Sequence, residues 1–216
     1  MLRIKTFPVN MVEENTYVLF DETKEAVIID CGALFPEEYD EIGTFILENE
    51  LRVVRLLCTH GHFDHIFGCQ WVYDNYHVSP ELHLLEEQTY LSASEDMQRF
   101  LRRNYSFEIP PIGRFLQDGE HIKFGTQDFE VLFTPGHTPG GISFYSADAK
   151  VLFSGDSLFR TNIGRCDLPG GNLETLVNAV KQRLLSLPED TVVYPGHGVP
   201  TTIEFERIHN PYLQYV

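Results

Sequence analysis

The chain has 216 residues, 43% of them hydrophobic and 12% aromatic, which is enough apolar material for a packed core and unlike a disordered segment. Its 32 acidic residues against 16 basic ones leave a net charge of −16, and this argues against a nucleic-acid partner, because binding to phosphates needs a basic footprint. No run approaches the roughly 18 uninterrupted apolar residues of a membrane helix, and the first ten residues have neither the apolar region nor the cleavage site of a signal peptide.

Strands are predicted first, at residues 2–7, 16–20 and 26–29, short β-branched or aromatic runs separated by turn-rich pieces. Pro36 then opens a helix with Tyr39, Ile42, Phe45 and Ile46 at helical spacing. Residues 51–58 read as a buried strand that stops at Thr59. A mixed helical pattern covers 84–103, and Pro110, Pro111 and Gly113 mark a loop. Further strands are expected at 122–124, 129–133, 142–145 and 151–153. The clearest helix spans 172–186, where Leu173, Leu176, Val177, Val180 and Leu184 share one face and Pro188 supplies the stop. A last strand at 191–194 leads into Pro195-Gly196-His197-Gly198. With no repeat, low-complexity tract or long linker, residues 1–216 are expected to form one domain with a helical insertion near 84–115.

The chemistry concentrates at Thr59-His60-Gly61-His62-Phe63-Asp64-His65. Three imidazoles and a carboxylate follow directly on an apolar strand. Such N and O donors suit zinc, iron or manganese better than calcium or magnesium. Four adjacent ligands cannot all reach one ion, so the spacing favours His60 and His62 on one metal and Asp64 and His65 on another. Further donors stand at three later strand ends: His137 after 131–133, Asp156 after 151–153 and His197 after 192–194, each beside glycines that permit a sharp turn. His77, His83, His121 and His209 lack such company and are expected to be surface or internally satisfied histidines. Asp30 could orient a ligand histidine or cap a turn. The four cysteines, Cys31, Cys58, Cys69 and Cys166, form no CxxC pair, and a reduced, cytoplasmic protein is expected. Arg160 and Arg165 are the candidate cations for an anionic substrate.

The series HGHFDH, TPGHTPGG, SGDSLF and YPGHG resembles the metallo-β-lactamase superfamily from residue 60 to residue 198, and within it the glyoxalase II (hydroxyacylglutathione hydrolase) group. Asn15-Thr16-Tyr17 and Ile28-Ile29-Asp30-Cys31-Gly32 are similar to that family's first strands. The resemblance implies an α+β fold, a four-layer αββα sandwich. It also implies two divalent transition-metal ions, zinc foremost with iron or manganese as alternatives. His60, His62 and His137 would hold one, Asp64, His65 and His197 the other, and Asp156 both. The sequence departs from glyoxalase II in having little chain after His197, and in carrying Asp167 where that group has an aromatic residue that contacts glutathione.

The expected activity is hydrolysis of a small acyl-thiol thioester, with Asp64 and Asp156 in the catalytic machinery. The alternative is a mononuclear iron persulfide dioxygenase, a group whose Gly-Arg-x-Asp stretch Gly164-Arg165-Cys166-Asp167 resembles. A lactonase or another hydrolase of the fold ranks third. No nucleic-acid or membrane partner is expected, and a homo-oligomer is possible. The segment 84–115, with Arg99, Arg102 and Arg103, is expected near the cleft, where it would shape access for an anionic substrate.

Overall fold

Strict alternation of large apolar residues dictates the layering. Strands β1 (Arg3–Val9), β2 (Glu14–Phe20) and β3 (Glu25–Ile29) open the chain, followed by helix α1 (Pro36–Glu48) and strand β4 (Arg52–Leu57). In the computed structural model, which describes residues 1–214, Tyr17, Leu19, Val27, Ile29 and Leu57 face one way into a shared core. Val18, Phe20, Ala26, Ile28 and Leu56 face the other way. Both faces are apolar, so both must be covered.

Helices cover the outer face. After β4 come the one-turn α2 (Phe63–Ile66), α3 (Cys69–Tyr76), β5 (Pro80–His83), α4 (Glu87–Leu101) and β6 (Arg114–Leu116). Ile42 and Ile46 of α1, Val72 of α3 and Tyr90 and Ala93 of α4 pack on that face of a six-stranded sheet ordered β1-β2-β3-β4-β5-β6. The first three strands pair antiparallel, and β3 to β6 pair parallel.

The second half repeats the logic. Strands β7 (His121–Phe124), β8 (Gln127–Phe133), β9 (Ile142–Ser146) and β10 (Val151–Gly155) form a meander, followed by a small β11 (Leu158–Phe159) and β12 (Asn162–Ile163) ribbon. Helix α5 (Leu173–Ala179) leads to β13 (Val192–Pro195), β14 (Thr201–Thr202), α6 (Ile203–His209) and α7 (Pro211–Gln214). The sheet order is β14-β13-β10-β9-β8-β7, with β10 and β13 parallel. Phe129, Val131, Phe144 and Phe153 join the central core, whereas Leu132, Tyr145 and Leu152 meet Leu176, Val177, Ile203 and Leu213 outside. The result is the αββα sandwich, helix on sheet on sheet on helix.

The expected helix at 172–186 begins where Asn172 accepts a hydrogen bond from Thr175 N at 2.8 Å. It changes pitch to a single π turn at Val180–Leu184, which keeps Val180 and Leu184 buried on the same face as Leu176 and Val177. Strands β5, β6, β11, β12 and β14 and helices α6 and α7 were not among the expected elements. Each is two to seven residues long, too short for a periodicity to show. Among the described residues no helix is long and apolar enough to cross a membrane.

Strand direction places the chemistry. β3 and β4 run parallel in one sheet, and β8, β10 and β13 share a direction in the other. The loops leaving their carboxyl ends carry Asp30, His60–His65, His137, Asp156 and His197. These ends of the two sheets converge.

Candidate metal centre

The apolar run of β4 ends at Leu57, and the next turn is held by a buried carboxylate. Asp30 Oδ1 accepts from Thr59 N and Asp30 Oδ2 from Thr59 Oγ1, both at 2.7 Å. Asp30 itself sits at φ 48°, a left-handed conformation that turns the chain as β3 ends. It therefore both caps a turn and orients a ligand, because its Oδ2 also lies 3.0 Å from His65 Nδ1. His60 and His62 project from the loop, and Asp64 and His65 from α2.

Six of the seven predicted donors come together in two triads. Atoms of His60, His62 and His137 lie within 4.8 Å of one another, as do atoms of Asp64, His65 and His197. Asp156 stands between them. Its Oδ1 is 3.3 Å from His65 Nε2, and its Oδ2 is 3.4 Å from His137 Nε2 and 3.8 Å from His197 Nε2.

The partners of the outward ring nitrogens decide which nitrogen faces the centre. Thr59 Oγ1 spends its proton on Asp30, so His60 Nδ1, at 3.0 Å, donates to it and leaves a lone pair on Nε2. His137 Nδ1 donates to the carbonyl of Arg165 at 2.7 Å, and His197 Nδ1 to that of Val12 at 3.1 Å. His65 Nδ1 faces Asp30. Every one of these four imidazoles thus aims Nε2 inward. His62 presents Nδ1, which lies 3.1 Å from His60 Nε2 and 2.9 Å from His137 Nε2. Lone pairs gathered at one point call for a cation.

The buried polar atoms fit that reading. His65 Nε2 and Asp156 Oδ1 are wholly buried and find no hydrogen-bond partner, being close but misaligned with each other. Without a cation, such orphaned atoms are costly to desolvate. Burial and then the neighbouring imidazoles push His60 well below the usual histidine range, and burial with His137 pulls His62 down to about 4. Both are therefore neutral ligands at neutral pH. Burial opposes charge on Asp64 and Asp156, but His65 and the other imidazoles outweigh it and hold both carboxyls below their usual range. Burial likewise opposes charge on His65, yet Asp156 and Asp64 overcome it and raise its proton affinity well above normal. The same negative charge that raises proton affinity here favours a cation among these donors.

A family model for the metallo-beta-lactamase superfamily matches residues 10–197. The chain belongs to that superfamily of metal-dependent hydrolases. It is 37% identical over 215 residues to the hydroxyacylglutathione hydrolase GloC of Haemophilus influenzae, covering 98% of each chain. Among solved structures it is similar to the BLEG-1 B3 metallo-beta-lactamase, with TM-score 0.89 and 37% identity over 99% of this chain and 100% of that one. It is also similar to TTHA1623 in a di-iron-bound form, with TM-score 0.85 and 35% identity over 97% of this chain and 100% of that one.

The two candidate substrate cations are engaged elsewhere. The Arg160 guanidinium lies over the Phe205 ring, 4.3 Å from its centroid, and Arg165 makes a bidentate pair with Asp167 at 2.8 Å for both bonds. Arg165 touches the centre through its main chain, by the carbonyl that orients His137. His77 ends α3 in a left-handed turn, His121 pairs with Asp128, His83 packs on Phe133 and His209 on Phe205. Cys58 is a buried core residue whose Sγ lies 4.0 Å from that of Cys69. The tip of α4 approaches the centre, since Phe100 packs on Phe63 with ring centroids 5.4 Å apart. A separate groove of about 480 Å³ between α4 and residues 109–115 is lined by Tyr90, Leu91, Ile109, Ile112 and Phe115, and by none of the seven donors.

Several supporting residues escaped the sequence reading. Asn15 Nδ2 donates to the carbonyls of Pro195 at 3.0 Å and Gly198 at 2.9 Å, and Tyr17 OH to Pro195 at 2.6 Å, so β2 grips the loop carrying His197. Asn10 Nδ2 holds the carbonyl of Asp64 at 2.9 Å. Glu14 is fully buried 3.7 Å from His65 Nδ1, and its carboxyl is pushed upward by burial. Asn15 and Tyr17 had a signal, their places in the Asn15-Thr16-Tyr17 stretch, whereas Asn10 and Glu14 had none.

Proposed function

We propose that this protein hydrolyses the thioester of a small acylated thiol, of the hydroxyacylglutathione class, at a centre of two divalent transition-metal ions. The observation that carries the reading is Asp156, whose carboxylate lies between the two triads, Oδ1 beside His65 and Oδ2 beside both His137 and His197. One ion would sit among His60, His62 and His137, the other among Asp64, His65 and His197, with zinc or iron suited to these donors. A relative of similar length, TTHA1623, has been solved with two irons. When bound, such a pair acidifies water and polarises a carbonyl.

The chain's own residues supply the rest. Asp30 and the carbonyls of Arg165 and Val12 hold the imidazoles in one tautomer, so the ligand geometry is set before substrate arrives. Asp64, whose Oδ2 lies 3.3 Å from His197 Nε2, is the carboxylate assigned in this reading to take a proton from the attacking water. A cysteine-like thiol has a pKa near ~8.5, so the leaving thiolate departs without a dedicated acid. The exposed Arg165–Asp167 pair beside His137 can exchange Asp167 for a carboxylate of the substrate.

The relatives' names span a thioester hydrolase and a β-lactamase, so the test sets substrates against one another. Metal-replete protein is offered S-lactoylglutathione, a cephalosporin and glutathione persulfide. Release of free thiol from the thioester, lost in His62→Ala, supports the proposal. Oxygen consumption with the persulfide and no thioester turnover replaces it with the dioxygenase reading, and turnover of the cephalosporin alone replaces it with a lactamase.

A further inference from the structure

One carboxylate joins the two loops that carry the first triad. Glu86 closes the short 3-10 turn at Leu84–Glu86 that leads into α4, and it is fully buried. Its Oε2 accepts the N–H of Gly61, between His60 and His62, at 2.8 Å. Its Oε1 accepts the N–H of Gly140, three residues beyond His137, at 2.6 Å. The two loops lie far apart in the chain, and among the described residues a single main-chain bond joins them, at their base, from Ile142 N just past Gly141 to the carbonyl of Thr59 at 2.9 Å.

The backbone is packed to match. A Cβ on Gly61 would come within 2.6 Å of Tyr90 N, and a Cβ on Gly140 within 2.7 Å of Glu86 N. Both loops therefore rest directly on the first turn of α4, with no room for a side chain between. A buried carboxylate is expensive unless its oxygens are hydrogen-bonded, and here each oxygen is taken by a different ligand loop. Its removal would leave two buried N–H groups without acceptors and the loops joined only at their base, by the Ile142–Thr59 bond.

We propose that Glu86 is a positioning residue for the His60/His62/His137 metal site, setting the spacing between the two loops that supply its ligands. This rests on the metal-binding part of the functional reading and not on the choice of substrate. The second triad needs no such bridge, since Asp64 and His65 share one helical turn and His197 is held by β2.

The test is a cobalt(II) titration of metal-free protein followed by its visible absorption, with the wild-type steps assigned using His137→Ala and His197→Ala. Glu86→Gln keeps the side-chain volume, but its amide NH₂ must face one of the two N–H donors. It should weaken the step lost in His137→Ala by about tenfold or more, while the step lost in His197→Ala stays within about twofold. Glu86→Asp, too short to span both loops, should shift the same step and provides a second reading if the glutamine variant folds poorly. Equal weakening of both steps in parallel with a fall in the melting temperature of the metal-free protein would reduce Glu86 to a structural role and overturn the proposal. An unchanged titration would overturn it too. Absence of any cobalt step in the wild type would instead bring down the metal-binding reading itself.

Discussion

The two halves of the sandwich contribute to the same centre in opposite ways. The half ending at β6 delivers four donors from one loop of six residues, whereas the half beginning at β7 delivers three donors from three separate loops. In the first half, relative positions are set by neighbouring backbone, with His62 capping the very turn that bears Asp64 and His65. In the second, they are set by strand register, since His137, Asp156 and His197 reach one place only if β8, β10 and β13 are correctly aligned. A donor from a local cluster is therefore robust in position, while a donor from a strand end depends on the whole sheet.

Asp156 is where the halves meet most directly, and its loss should have the largest effect. Asp156→Ala removes the carboxylate that lies between the Nε2 atoms of both triads, and two cations would then face each other without it. We expect turnover to disappear and both metal positions to weaken, as read by elemental analysis after dialysis. Retention of one tightly bound ion with unimpaired turnover would show that the triads work separately.

Asp30→Asn tests the local half. The amide oxygen can still accept from Thr59 N, but its NH₂ would then take the place of Oδ2 and confront both His65 Nδ1 and Thr59 Oγ1. Metal affinity or turnover should fall by about 10- to 100-fold. An effect below twofold in both would mean that the local cluster holds its imidazoles without help.

Asp21 tests the seam between the halves at the end remote from the metals. It accepts from Thr23 in its own half and from Thr126 and Gln127 in the other. Burial opposes its charge, but these donors overcome it and hold the carboxyl well below its usual range. A depressed folded pKa stabilises the protein above the unfolded value, near ~3.9, and that contribution is lost as pH falls toward the lower folded value. Asp21→Asn should cost about 1–3 kcal/mol at neutral pH in denaturant unfolding. It should also flatten the acid limb of the stability profile while leaving metal content unchanged. A parallel loss of metal would show that the seam and the centre are coupled.

The smallest effect is expected where α4 ends. Arg102 and Arg103 are exposed, just beyond Phe100, which packs on Phe63 of the ligand helix. Reversing both charges should raise KM for an anionic acyl-thiol severalfold with kcat and stability nearly unchanged. Unchanged kinetics would assign the arginines to solvent alone.

All seven donors were legible in the chain, because each occupies a place that composition and pattern mark: a dense motif after an apolar strand, or a histidine or aspartate set among glycines where a strand stops. The long strands and the helices at α1, α4 and α5 were legible for a similar reason, their periodicity being the direct imprint of a buried face. The supporting residues were not. Glu86 reads as an ordinary acidic residue at a helix start, and the two N–H groups that donate to it lie 25 and 54 positions away. Asn15 binds a carbonyl 180 positions distant. A side chain that hydrogen-bonds a remote main-chain group leaves no spacing in the sequence, because a backbone N–H or carbonyl is the same at nearly every position. The chain alone therefore determined which donor atoms gather at the candidate centre and how the sheets bury their faces. Only the tertiary structure decided how those atoms are held, through bonds to main-chain groups that have no residue identity to read.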